Sequence, residues 1–258
     1  MNTKSKIGLI VVFLLISFLS SVSINQVLAQ DDKYLKNQVK FSLTPCVYSN
    51  LKFNHFGEHL LYSRAIPSAE IAVSYYHHFI KGFGANIGVG YNQVPLNFRY
   101  GELETTNGTS IMPVRINHYY NAYISAPITV QKLFEIGKNN NFLIAELGGK
   151  LNFRIGKPGS IDYALFDTQK GEQEEILRVN IQDCKEKVIV GYFLKFGLQH
   201  KLMNKNSLQF ALVGHCSPTP FETGTFEFKN ISKESKGDIF QYLNYVGLEI
   251  TYGLTLSK

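Results

Sequence analysis

The residues with the strongest chemical potential are histidines. His77 and His78 are adjacent. In a strand, neighbouring side chains point to opposite faces, so this pair cannot hold one metal ion. His55 and His59 are four apart with Glu58 between them. That spacing brings two imidazoles together on a helix, yet residues 50–67 carry no firm helical pattern. An esterase or lipid deacylase needs a serine, a histidine and an acid within hydrogen-bond reach. His118 and Tyr120 share one parity of a strand, but no serine and acid stand beside them. The expectation is therefore no catalytic, cofactor-binding or metal-ligating set, and no cofactor.

The three cysteines are Cys46, Cys184 and Cys216. They are far apart and lack the CxxC or Cys/His spacing of a zinc site. Their odd number leaves at least one thiol unpaired, and leaves open a single disulfide in an oxidising compartment. The formal charge of +6 is scattered along the chain. With no basic stripe and no interleaved stacking aromatics, nucleic acid is not an expected partner. The sequons at Asn107 and Asn230 carry little meaning outside a eukaryotic secretory route.

The elements that would position these groups begin after an export signal. Lys4 and Lys6 precede an uncharged apolar run of 13 residues, Ile7 to Leu19, and Val27-Leu28-Ala29 suits a cleavage site. A permanent helix would need roughly 20 apolar residues, and the segment after Leu19 is too polar to extend the run. The plan is a signal peptide over 1–29, a short segment over 30–37 and one domain over 38–258. Losing Lys4 and Lys6 leaves 24 basic residues against 20 acidic ones, a net of +4.

The rest of the chain alternates with period two, the strand signature. Eight stretches stand out: 38–49, 68–80, 83–92, 117–131, 142–155, 187–201, 207–217 and 242–256. Each has one apolar face, such as Phe83, Ala85, Ile87, Val89 and Tyr91, or Val188, Val190, Tyr192, Leu194, Phe196 and Leu198. Each opposite face is polar or small. Periodicity alone does not say whether the apolar face meets lipid or a soluble core. The connections do: those near Gly82, Gly137 and Met203 are short, those between are long, and the two kinds alternate strictly. An up-and-down barrel would then carry all short turns on one rim and all long loops on the other, as outer-membrane barrels do. Lipocalins also have eight strands, but they carry a tryptophan near the start of the first, and this chain has none. The 13% aromatic content, without Trp, suits strands at a water–lipid boundary.

The fold class is therefore all-β: a closed antiparallel up-and-down transmembrane β-barrel of about eight strands. Within the third long connection, residues 161–166 and 176–181 also alternate. They read either as a hairpin that extends the wall outward or as two further membrane strands. An eight-stranded interior is just wide enough for side chains. Glu70, Glu146 and Glu249 would share it with Lys150, Arg154 and Lys195. Charges there must be paired, which predicts a salt-bridged plug. The alternative reading is an ion or proton path.

The stretch Tyr123-Ile124-Ser125-Ala126-Pro127-Ile128-Thr129-Val130-Gln131-Lys132, followed by Phe142-Leu143-Ile144-Ala145-Glu146-Leu147-Gly148-Gly149, resembles a pattern in Bacteroidetes outer-membrane β-barrel proteins of the PorT-like kind. The small-residue strand around Gly84, Gly88 and Gly90 and the ending Tyr245-Val246-Gly247-Leu248-Glu249-Ile250-Thr251-Tyr252-Gly253-Leu254 are similar to the same family. The chain departs from many such barrels by ending Leu256-Ser257-Lys258 instead of on an aromatic. The resemblance implies an outer-membrane location and no particular activity. The expected role is non-enzymatic, structural or binding, in envelope assembly or secretion. The partners would be outer-membrane lipid, the barrel-assembly machinery and a protein at the long loops. A lipid-modifying barrel enzyme and a soluble lipocalin-like carrier are the alternatives.

Overall fold

The computed structural model describes residues 37–80, 82–137, 140–155, 160–167, 173–183, 188–203 and 205–256, with 117–120 described by backbone alone. The expected signal peptide (1–29), most of the 30–37 segment, Cys184 and the last two residues lie outside the described residues. Sixteen strands follow in order. They are β1 (Gln38–Tyr48), β2 (Lys52–Gly57), β3 (Leu61–Tyr62), β4 (Ile66–Ile80), β5 (Phe83–Tyr100), β6 (Leu103–Glu104), β7 (Ser110–Ile111), β8 (Arg115–Ile136), β9 (Asn141–Arg154), β10 (Ser160–Asp167), β11 (Glu174–Asp183), β12 (Val188–Lys201), β13 (Ser207–Cys216), β14 (Glu222–Phe228), β15 (Ser235–Gln241) and β16 (Tyr245–Thr255).

Eight of them, β1, β4, β5, β8, β9, β12, β13 and β16, pair antiparallel in a ring. The ring closes because β1 pairs with both β4 and β16, while β5 joins β4 to β8. Closure leaves no free sheet edge in the wall, the only way strands can stand in hydrocarbon. The short connections lie on one rim with both ends of the barrel, where Gln38 faces Thr255. At two of them, Gly82 and Gly137 take positive φ values of 79° and 64°, which glycine adopts without a Cβ clash.

Orientation follows from burial. Val89 is 59% exposed and Leu248 65%, whereas Lys150 is 1% exposed and Glu249 8%. The apolar face is outside and the polar face fills the centre, which removes the soluble-carrier reading. On β4 the outward apolar residues run from Ile71 to Phe79, about 20 Å of height at the usual strand rise and tilt. Tyr252 towards the short-turn rim, and Tyr91 and Tyr192 towards the other, are partly exposed. Such belts suit a lipid–water boundary. No helix among the described residues is long and apolar enough to cross a membrane; the crossing is made by strands.

The long connections differ from the loops expected. Three of them supply a five-stranded sheet, in the order β10-β11-β14-β15-β2. The β10–β11 hairpin pairs onward with β14 and not with β9 or β12. It therefore adds no strand to the ring, and it continues the wall outward as one of the two readings expected: Ser160 faces Gln182 in nearly the same register in which Phe153 faces Val188 between β9 and β12. Two wall strands are also longer than the alternation suggested. β5 continues to Tyr100 and β8 begins at Arg115. Pro95 does not stop β5, because it sits at a register shift, where the missing N–H breaks no regular ladder.

Candidate functional site

The lumen is built in layers. At the short-turn rim, the Gln38 amide donates to Thr255 Oγ1 at 3.0 Å and Gln209 donates to Gln199 at 2.6 Å. Next, Lys40 Nζ donates to Gln131 Oε1 at 2.6 Å and lies 4.3 Å from the centre of the Tyr76 ring. Lys195 then bridges Glu146 at 2.7 Å and Glu249 at 2.8 Å. Asn86 donates to Glu146 at 3.1 Å, and Thr251 donates to Glu249 at 2.7 Å. Above this, Lys150 pairs with Glu70, and the Tyr245 hydroxyl accepts from Lys150 and donates to Glu70, both at 3.0 Å. Small residues leave the room required. A Cβ on Gly90 would stand 2.6 Å from Ser125 Oγ, and one on Gly191 would overlap His215 Nε2.

An aromatic layer closes the far end. Tyr48, Tyr123, Phe221 and Tyr245 are buried there with Val94, Ile189, Val213 and Leu243. Tyr123 meets Phe221 edge-on, and His215 stacks on Tyr245. Beside it, Arg154 pairs with Asp183 at 3.4 Å, and Asn121 donates to Asp183 and Glu222. The space among the lumen charges is about 40 Å³, room for a few waters at most. Chemically this is a tightly packed plug of paired charges. Ion pairs in such surroundings are net stabilising only when fully partnered.

The predicted lumen set of Glu70, Glu146, Glu249, Lys150 and Lys195 does meet in the centre, while Arg154 sits higher, against Asp183. Sequence reasoning missed Lys40, Asp183, Glu222 and Tyr245. Lys40 had a readable signal, since it shares parity with Gln38 and Thr44 on the polar face of β1. Asp183 and Glu222 lie at the ends of strands inside long connections and carried none.

Beyond the aromatic layer the pattern inverts. Leu51, Leu61, Leu96, Phe98, Tyr100 and Ile116 pack with Ile176, Leu177, Val179, Ile181, Phe226 and Ile239 into a dry core. The five-stranded sheet and the overhanging parts of β3, β5 and β8 enclose it, forming a β-cap. The cap turns a polar face outward, bearing a groove of about 420 Å³ lined by Phe56, Arg178, Asn180, Thr225, Lys236 and Asp238 among others. Between β11 and β14, Glu175 accepts from Arg178 at 2.6 Å and from Lys229 at 2.8 Å. These two cations hold its carboxyl at about 2, well below the usual range.

Of the candidate metal and catalytic groups, His55 and His59 are brought together. His55 lies in β2, with its ring 4.3 Å from that of His59. Partial burial and the neighbouring His59 both lower the pKa of His55. Among the described residues, no three His, Cys, Asp or Glu side chains gather as metal ligands. His77 points outward and hydrogen-bonds Asn37 at 2.8 Å. His118 and Tyr120 do not share the simple alternation assumed for them. The backbone register shifts between them, pairing His118 with Leu96 and Tyr120 with Pro95. Cys46 is buried, Cys216 is exposed, and both are free thiols.

No known protein family matches the chain, and no curated protein sequence does. Among solved structures, it is similar to the outer membrane protein OprG from Pseudomonas aeruginosa, at 7% identity and a TM-score of 0.43, covering 86% of this chain and 97% of that one. A major outer membrane protein from Thermus thermophilus aligns at 12% identity and a TM-score of 0.41, over 84% of this chain and 99% of that one. Neisserial surface protein A aligns at 8% identity and a TM-score of 0.34, over 83% and 95%.

Proposed function

We propose that the chain is a non-enzymatic outer-membrane protein in which a sealed barrel anchors a β-cap that presents a binding surface. In this reading residues 1–29 direct export and are removed, and the barrel-assembly machinery inserts the domain. The cap, on the long-connection rim, faces the exterior and meets a protein partner of envelope assembly or secretion. The PorT-like residue pattern from Tyr123 to Gly149 favours that setting. One observation carries the reading: the lumen is filled by two ion-pair layers and then an aromatic layer, while the long connections are condensed into a sheet with its own core. A transport route would leave the centre open and wet. A presenting surface needs a rigid scaffold outside the bilayer.

The test is electrical. The folded mature protein, reconstituted in a planar bilayer, should give no stepwise conductance. Steady unit currents from wild-type protein would overturn the sealed-anchor reading.

A further inference from the structure

The sequence has five arginines, and the structure treats them in two ways. Arg154 is paired with Asp183, and Arg178 with Glu175 and Asp162. Arg64, Arg99 and Arg115 have no ion-pair partner among the described residues. Arg99 and Arg115 belong to the overhang of β5 and β8, and Arg64 lies just after β3, which pairs with β5. There Tyr62 lies opposite Arg99, and Arg99 opposite Arg115, in a single rung. Residues facing each other in a rung share one face of the sheet. The neighbouring positions Leu61, Tyr100 and Ile116 are buried in the cap core, so this rung is on the solvent side. Tyr62 is 45% exposed, Arg64 and Arg115 are exposed, and Arg99 is half-buried with its guanidinium 6.0 Å from the Tyr62 ring. Arg64 follows Tyr62 by two residues.

Like charges directly opposite each other in a sheet destabilise it. A molecule that pairs its other arginines leaves this rung uncompensated, which is the arrangement of a site whose counter-charge arrives from outside. Guanidinium forks suit phosphate or carboxylate oxygens, and the Tyr62 ring offers an apolar plate beside them. Height selects the source. Arg99 stands eight residues beyond Tyr91, the last outward apolar residue of β5. At the usual rise and tilt this is roughly 20 Å above the hydrocarbon. Phospholipid headgroups reach only about 5–8 Å beyond it. An anion at the height of the rung must be carried on an extended saccharide.

We propose that Arg99 and Arg115, with Arg64 and Tyr62, bind the anionic saccharide of a glycolipid in the same leaflet. The proposal rests on the outward orientation of the cap given above. The experiment uses full-length mature protein folded in a zwitterionic detergent. The probes are lipopolysaccharide with a complete phosphorylated core, a truncated form lacking the core sugars, phosphatidylglycerol vesicles and inorganic phosphate. Heat-modifiable gel mobility certifies the fold of every variant. The complete lipopolysaccharide should bind, and binding should weaken as salt rises. R99Q/R115Q should lose roughly tenfold in affinity for each arginine removed. The truncated form, phosphatidylglycerol and inorganic phosphate should each bind far more weakly. In the absence of glycolipid, R115Q alone should melt no lower than wild type, because it relieves a like-charge pair. Unchanged affinity in a folded R99Q/R115Q protein would overturn the proposal. So would equal binding of phosphatidylglycerol or the truncated form, or a lowered melting temperature for R115Q. A conducting but glycolipid-binding protein would sink the sealed-anchor reading and leave this site standing.

Discussion

The barrel and its cap are made from the same alternating strands, turned inside out with respect to each other. Within the barrel, Lys195, Glu146 and Glu249 are central and Leu194, Leu147 and Leu248 are peripheral. Within the cap, Leu177, Val179 and Ile181 are central, and Arg178, Asn180 and Gln182 face out. The medium dictates the difference. Hydrocarbon accepts the apolar side of a strand, and water accepts the polar side. The two patterns meet on β5 and β8. There, Val94, Pro95, Leu96, Asn97 and Phe98 are buried in succession, and the register shifts between Pro95 and Leu96. The extra residue is on β8, between His118 and Tyr120, so inward positions there change from odd, as at Tyr123, to even, as at Ile116. On β5 one parity faces inward throughout, polar at Asn86 and Asn92 and apolar at Leu96, Phe98 and Tyr100.

The contrast makes opposite mutations costly in the two regions. The largest effect should come from Lys195→Met, which strands Glu146 and Glu249 in the lumen at a cost of about 3–5 kcal/mol. Urea unfolding of the barrel in detergent measures it, and an unchanged midpoint would mean that the lumen is wetter than its packing implies. In the cap, Leu177→Ala should cost about 2–4 kcal/mol by leaving a cavity, read as faster proteolysis of the long connections with the barrel still heat-modifiable. Loss of the barrel fold as well would show that the two regions are one cooperative unit. The smallest effect should come from Glu175→Gln on the cap surface, within about 1 kcal/mol, because exposed ion pairs contribute little. Its pH dependence has a definite sign. A carboxyl depressed to about 2 adds stability that is present above its unfolded value near 4.5 and is lost as pH falls through about 2. Cap proteolysis should therefore differ between wild type and Glu175→Gln at pH 6 and converge near pH 2.

The barrel was largely legible from the sequence because alternation, connection lengths and the charges on the polar faces all pointed the same way. Glu70, Lys150 and Glu249 could be placed in the lumen by counting parity. Of the cap, only the β10–β11 hairpin was legible, from the alternation of 161–166 and 176–181; the rest was not, for two physical reasons. Its strands are short and come from three separate connections, so no local pattern says that β2 pairs with β15, about 180 residues away. The extra residue that β8 takes between His118 and Tyr120 breaks the count on that strand, which is why simple counting gives those two one parity, and on β5 the run of buried residues from Val94 to Phe98 hides the alternation. The unpartnered rung of Arg99 and Arg115 was hidden for the same reason. It exists only once the two overhanging strands are set side by side.

The pairing of β2 with β15 also dictates a timetable. β2 is synthesised early, yet its neighbour in the sheet arrives only just ahead of β16, which completes the ring against β1. The far ends of the polypeptide are thus stitched together twice, once in each region. A chain halted before residue 235 would have neither an intact wall nor a finished exterior. A completed cap therefore certifies that the polypeptide has been made through β15.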